Sequence, residues 1–158
     1  MKNEMTKIKL SAFRWVPPFA QGLVRDLRVR WALEEAGLAY EERLIGPEDQ
    51  QSVTYLNLQL FGQVPSYEED GLVLFESGAI VLHIAERSDK LMVSDLGARA
   101  RTKTWMFAAL NTVEPPIMYL RHAARRGRIG EVAPIGGCRG GKEATGEPMR
   151  PPRRAELS

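Results

Sequence analysis

Cysteine and histidine are almost missing from these 158 residues: one cysteine, Cys138, and two histidines, His83 and His122. A single thiol excludes a disulfide framework, and so few soft donors exclude a four-ligand structural zinc site. No apolar run approaches the roughly 18 residues of a membrane span. The first ten residues, MKNEMTKIKL, are charged and lack the apolar stretch of a signal peptide, so the expected compartment is a reducing cytoplasm. Charge of one sign is also scarce. A net charge of +2 on a chain with 27% charged residues is not that of a uniformly basic nucleic-acid binder. Hydrophobic residues make up 44%, enough for one packed core.

Aromatic residues are absent from one part of the chain. All 12 lie at or before Tyr119, and the last 38 residues hold 7 of the 14 glycines, 4 of the 10 prolines and a charge of +5. A segment of that composition buries too little apolar surface to offset its ordering entropy, so residues 121–158 are expected to be a disordered basic tail. It has no aromatic stacking platforms, which argues against nucleic acid as a partner. The switch near Arg121 is abrupt enough to suggest out-of-frame or fused sequence. Cys138, in the Gly-rich stretch GGCRGG, is an incidental thiol with no histidine placed to activate it.

The first 120 residues carry the pattern of a fold. Ile8, Leu10 and Ala12 alternate with Lys7, Lys9 and Ser11, a period-2 strand with a polar face. After the loop RWVPPFAQG, Val29, Ala32, Leu33 and Ala36 mark one helix face, and Gly37 stops the helix. Tyr40 to Ile45 reads as a second strand, and PEDQQSVTYLNL is weakly helical. QVPSYEE and LVLFE flank Asp70-Gly71, a hairpin signal. SGAIVLHIAER then forms a helix that Ser77 can cap, with His83 packed or at the surface. Asp95 opens a further helix, whose apolar face is Met106, Ala109, Leu110 and Val113, interrupted at Pro115-Pro116. One βαβ unit followed by ββα is an α/β, thioredoxin-like arrangement, with helices on both faces of a mixed four-stranded sheet. The expected organisation is a thioredoxin-like domain over residues 1–90, an incomplete all-α domain over 91–120, and the tail.

Chemistry concentrates at Gly62-Gln63-Val64-Pro65 and, eleven residues beyond Pro65, at Glu76-Ser77. If the Val64-Pro65 bond is cis, Val64 turns its N–H and C=O outward, where they can pair with an extended peptide. Ser77 and the first amides of its helix form an anion site, and Glu76 offers an acceptor for an ammonium. A site that takes a peptide backbone, a carboxylate and an ammonium suits a small zwitterionic peptide. Taken singly, the residues also have plainer roles. Pro65 can be trans in an edge strand, Ser77 a simple cap, and Glu76 and Gln63 solvated surface.

In combination these segments resemble the glutathione S-transferase family: the strand KIKLSAF, the helix LRVRWALEEAGLAYE, the GQVP turn and FESGAIVLHIAER, over roughly residues 7–120. The resemblance implies an enzyme that binds glutathione as co-substrate, with no metal, and transfers it to small hydrophobic electrophiles, working as a homodimer if the full family fold is present. It implies that Val64 pairs with the cysteinyl backbone, that Glu76 and Ser77 hold the γ-glutamyl end, and that Gln63 lies near the glycine end. The family usually aims a Ser, Tyr or Cys at the sulfur from the loop after the first strand. The loop from Arg14 to Arg25 has none, leaving Arg14, Trp15, Gln21, Arg25 and backbone N–H groups. Arg14 and Trp15 are the expected catalytic candidates. The missing hydroxyl and the short helical part leave a second expectation open, a non-catalytic binding protein of the same fold.

Overall fold

A computed structural model describes residues 7–125. Four strands form one mixed sheet in the order β2-β1-β3-β4: β1 (Ile8–Phe13), β2 (Tyr40–Ile45), β3 (Ser66–Glu69) and β4 (Leu72–Phe75). β1 runs parallel to β2, and β3 is antiparallel to both β1 and β4. This is the thioredoxin-like arrangement. The parallel pair is connected through α1 (Asp26–Ala36), the crossover helix that a parallel connection demands. The β3–β4 hairpin closes at Asp70 (φ 47°) and Gly71 (φ 82°), both left-handed, as the tight turn requires.

The apolar residues of β1 and the two long helices make the main core. Leu10, Val29, Leu33, Tyr67, Ile80 and Ile84 are all fully buried where α1 and α4 (Ser77–Glu86) pack together. α1 ends where expected. Gly37 adopts φ 73° and its N–H bonds to the Glu34 carbonyl, while the Leu38 N–H reaches back to Leu33.

The opposite face of the sheet carries a smaller cluster, Ile45, Tyr55 and Val64. The weakly helical stretch resolves here into two single turns, α2 (Pro47–Gln50) and α3 (Val53–Leu56). They cover Ser11, which alternation had placed on a polar face and which is in fact 1% exposed.

Beyond α4 the helical part departs from the sequence expectation in three ways. α5 (Leu96–Ala108) begins at Asp95, whose carboxylate accepts the Ala98 N–H at 2.7 Å, but it leads into a π turn over Ala109–Val113. That wider turn breaks the 3.6-residue repeat. Met106 and Leu110 are half-buried, while Ala109 and Val113 are exposed instead of completing one face. Pro115 and Pro116 do not end the helix: it continues through them as α6 (Glu114–Arg125), and the departure from regular α geometry falls directly before them, in the π turn. And α6 includes residues 121–125, which composition had assigned to the tail. The rest of that tail, with Cys138, lies outside the described residues.

The chain divides into two units, the first ending at Pro115 and the second starting at Pro116. α5 therefore belongs to the same unit as the sheet. Among the described residues, no helix is long and apolar enough to cross a membrane.

Candidate functional site

Strand register assembles the site. Ser66 pairs with Phe75, so the GQVP turn that precedes Ser66 and the Glu76-Ser77 junction that follows Phe75 leave the sheet side by side. Leu10 pairs antiparallel with Tyr67, so the chain leaving β1 at Arg14 runs toward the same end of the sheet as the chain entering β3 from Gln63. The GQVP turn, Glu76-Ser77 and Arg14 thus reach one edge of the sheet, where β1 and β4 end and β3 begins.

The Val64-Pro65 bond is cis. Val64 and Pro65 are buried while Gln63 is exposed. Among the described residues, neither backbone group of Val64 meets a hydrogen-bond partner. The turn that presents it is held from several sides. Gly62 adopts φ 62°, and a Cβ there would stand 2.6 Å from the Gln50 carbonyl oxygen, so no other residue fits. The Gln50 side-chain amide donates to the Gly62 carbonyl at 2.6 Å. Gln59, 2% exposed, accepts the N–H groups of Phe61 (2.7 Å) and Gln63 (3.1 Å) through Oε1. The Tyr55 hydroxyl donates to the Gln63 carbonyl at 2.6 Å, and burial pushes that phenol upward from its ordinary pKa.

Glu76 and Ser77 stand differently from the expected cap. Glu76 is the capping residue, at φ 70° and ψ 112°, and its side chain bonds nothing in the helix. A non-glycine residue at such a φ costs energy, and such residues gather at functional positions. Ser77 is the first residue of α4, 4% exposed, and its hydroxyl has no partner among the described residues. The free amides of the first turn of this ten-residue helix lie beside it. Both residues line a cavity of about 400 Å³ whose polar wall is completed by Arg25, Arg28, Asn111 and Glu114. Glu114 accepts from Arg28 (2.8 and 3.1 Å) and Arg25 (3.2 Å), and the Arg28 hydrogen bond, ahead of the Coulomb attraction, holds its carboxyl below the usual range.

Arg14 and Trp15 line a separate cavity of about 310 Å³ with Phe13, Ile45, Pro47 and Gln50. Trp15 is 73% exposed. The Arg14 guanidinium pairs with Glu48 at 2.9 Å and with Asp49 at 3.5 Å. Both arginines that bracket the loop are therefore already engaged by carboxylates. Ser11 is sequestered as well, bonded to Tyr55 and Ser66. His83 lies 3.6 Å from Glu69 in a cluster with Arg87, remote in register from this edge.

Sequence reasoning passed over Gln50, Tyr55, Gln59 and Glu114. None belongs to a motif.

Residues 21–86 match the family described as glutathione S-transferase, N-terminal domain. The chain is 29% identical over 107 residues to a glutathione S-transferase of Antechinus stuartii, covering 66% of this chain and 48% of that one. It is 36% identical over 87 residues to glutathione S-transferase alpha-2 of Rattus norvegicus, covering 54% and 39%. Among solved structures, it superposes with TM-score 0.56 and 30% identity on the theta class glutathione S-transferase of Xanthomonas axonopodis pv. citri, which has glutathione bound. That match covers 68% of this chain and 50% of the other. The chain thus spans about half the length of these proteins, or less. What the residues at the sheet edge suggested, the relatives bear out over that part of the chain: residues 21–86 match the N-terminal domain of the glutathione S-transferase family.

Proposed function

We propose that this chain binds glutathione at the sheet edge and transfers it, through a new bond from its sulfur, to small hydrophobic electrophiles. The observation that carries the reading is Ser77: a residue 4% exposed that lines the cavity, has no hydrogen-bond partner for its hydroxyl among the described residues, and starts a helix beside the left-handed backbone of Glu76. In this reading the α-carboxylate of the γ-glutamyl end takes the Ser77 hydroxyl and the first amides of α4, and Glu76 accepts from the ammonium. The N–H and C=O of Val64 pair with the cysteinyl backbone in the manner of an added strand. Pro65 closes the turn, and Gln63 lies at the glycine end. Residues 1–90 form the glutathione-binding domain and 91–120 open the helical one. The protein works in the cytoplasm, as a homodimer.

Conjugation needs the thiolate. A thiol of ordinary pKa near 8.5 must fall by about two units, roughly 2.7 kcal/mol of stabilisation. With no Ser, Tyr or Cys between Arg14 and Arg25, that role falls to Arg14, to backbone N–H groups and to the indole of Trp15. Arg14 must exchange Glu48 and Asp49 for the sulfur to do so. That competition favours the second reading, a binding protein of this fold that does not catalyse. Ultraviolet absorbance of bound thiolate against pH separates the two. A lowered pKa that rises in Arg14→Gln supports catalysis, and a thiol titrating as in free solution supports binding alone.

Calorimetric titration with glutathione tests the site itself. Ser77→Ala removes a charge-assisted hydrogen bond of about 1.5–3 kcal/mol, so affinity falls roughly tenfold or more. Unchanged binding in that variant rejects the assignment.

A further inference from the structure

Tyr55 is buried and belongs to no motif, yet its hydroxyl ends a chain of hydrogen bonds whose direction is fixed. A carbonyl only accepts, so the Tyr55 hydroxyl spends its one hydrogen on Gln63 O at 2.6 Å. The contact between Ser11 Oγ and Tyr55 Oη at 2.8 Å must then run from serine to tyrosine. Ser11, its hydrogen used, accepts both the Ser66 hydroxyl (2.9 Å) and the Ser66 N–H (2.6 Å). Each of the three hydroxyls has one role, and all of them converge on one carbonyl.

That carbonyl shares a peptide plane with the Val64 N–H. The Gln63-Val64 bond is not among the cis bonds of the described residues, and in a trans peptide C=O and N–H point in opposite directions. Holding Gln63 O on Tyr55 therefore aims Val64 N–H away from Tyr55 and the cluster around it. Gln59 secures the other end by accepting the Gln63 N–H. We propose that Tyr55, backed by Ser11 and Ser66, is a positioning residue that presets the Val64 N–H as the donor to the ligand's peptide backbone. The inference rests on the glutathione reading above and adds to it. It assigns the middle of the peptide to a side chain that never touches it.

The test compares two ligands on the full chain: glutathione, and γ-glutamyl methylamide, which keeps the γ-glutamyl end and lacks the cysteinyl–glycine backbone. Tyr55→Phe keeps the ring in the core and removes the hydroxyl. By proton–nitrogen correlation titration it weakens glutathione roughly tenfold, while γ-glutamyl methylamide changes less than about twofold. Ser77→Ala weakens both. Tyr55→Phe leaving glutathione unchanged, or weakening both ligands equally, overturns the positioning role while Ser77 still defines the site. Should wild-type protein bind neither ligand, the functional reading falls and this inference with it. A second measurement needs no variant. The Val64 amide signal of the wild type shifts with glutathione and stays in place with γ-glutamyl methylamide. A Val64 amide unmoved by glutathione overturns the proposal even if Tyr55→Phe does not fold.

Discussion

The sheet with its two flanking helices and the helix α5 contain apolar residues of similar size and use them in opposite ways. Leu10, Leu33, Tyr67, Ile80 and Ile84 are all at 0% exposure. In α5 no residue is buried, with Leu96 at 82% and Trp105 at 74%. The first region closes on itself, because β1, α1, β3 and α4 present their apolar faces to one another. α5 and the π turn after it meet the first region through Met106, Leu110 and the ion pairs of Lys103 and Arg99 with Glu86, and Gly78 leaves room for this: a Cβ there would stand 2.4 Å from Leu110 Cδ1. The contrast teaches that a helix can be well specified by its own cap and pattern and still contribute little to a core.

The widest gap between the regions should appear on truncation. Leu33→Ala opens a cavity in the closed core and is expected to cost about 2–5 kcal/mol. Trp105→Ala removes a larger side chain but is expected to change global stability by less than about 0.5 kcal/mol. Paired urea denaturations measure both. Comparable losses would mean that α5 is part of the cooperative core after all.

Next in size is an electrostatic difference. Glu69, with 7% of its side chain exposed, accepts from Arg87 at 2.9 Å and from Tyr67 at 2.7 Å, tying the β3–β4 hairpin to α4. The Arg87 hydrogen bond, opposed by burial and aided by Tyr67, lowers its pKa from 4.5 to about 2. The folded carboxylate is thus the harder one to protonate. Its stabilisation is complete above pH 4.5 and is lost as pH falls from 4.5 through 2, by about 2–3 kcal/mol. Glu69→Gln should flatten that part of the stability–pH curve. An unaltered curve would show that the cluster contributes nothing there.

How much of this was legible beforehand divides along the same line. The core region was plain, because alternation in β1, the face of α1, Gly37 and Asp70-Gly71 each depend on residues close in sequence. The pairing of GQVP with Glu-Ser was legible too, since both flank one hairpin. What escaped depends on packing. Ser11 sits on the polar side of β1 by period, but α3 covers that side and makes it an internal hydroxyl. Tyr55 and Gln59 act by reaching back to a turn, which no periodicity records. Ser77 has the residue type of a cap, yet the positive φ of Glu76 moves the cap one residue earlier. The π turn shifts Val113 off a face that a regular helix would have kept.

The exposed apolar surface of α5 bears on association. Trp105 and Phe107, 74% and 53% exposed, are the kind of uncovered side chains that draw molecules together. Light scattering should detect self-association of the chain, reduced when both are replaced by Gln. Hydrogen exchange should show weaker amide protection over 95–114 than in α1 and α4. A monodisperse monomer with equally strong protection would remove the distinction between the two regions.

The smallest effect sharpens the comparison most. Asp95 caps α5 through one hydrogen bond, from the Ala98 N–H at 2.7 Å, and its carboxylate is otherwise exposed. Removing such a cap costs its helix about 1 kcal/mol. In a helix that belonged to the cooperative core, that loss would lower the melting temperature by several degrees. In α5, whose unfolding is expected to precede that of the sheet, the same loss is local. Asp95→Ala should therefore speed amide exchange through the first turns of α5 by roughly fivefold and leave the global melting temperature unchanged. The Leu33→Ala variant should do the reverse, lowering the melting temperature and raising exchange throughout the sheet. If Asp95→Ala lowers the melting temperature by several degrees, the cap reports on the whole fold, and α5 must be counted with the sheet in energy as it is in contact.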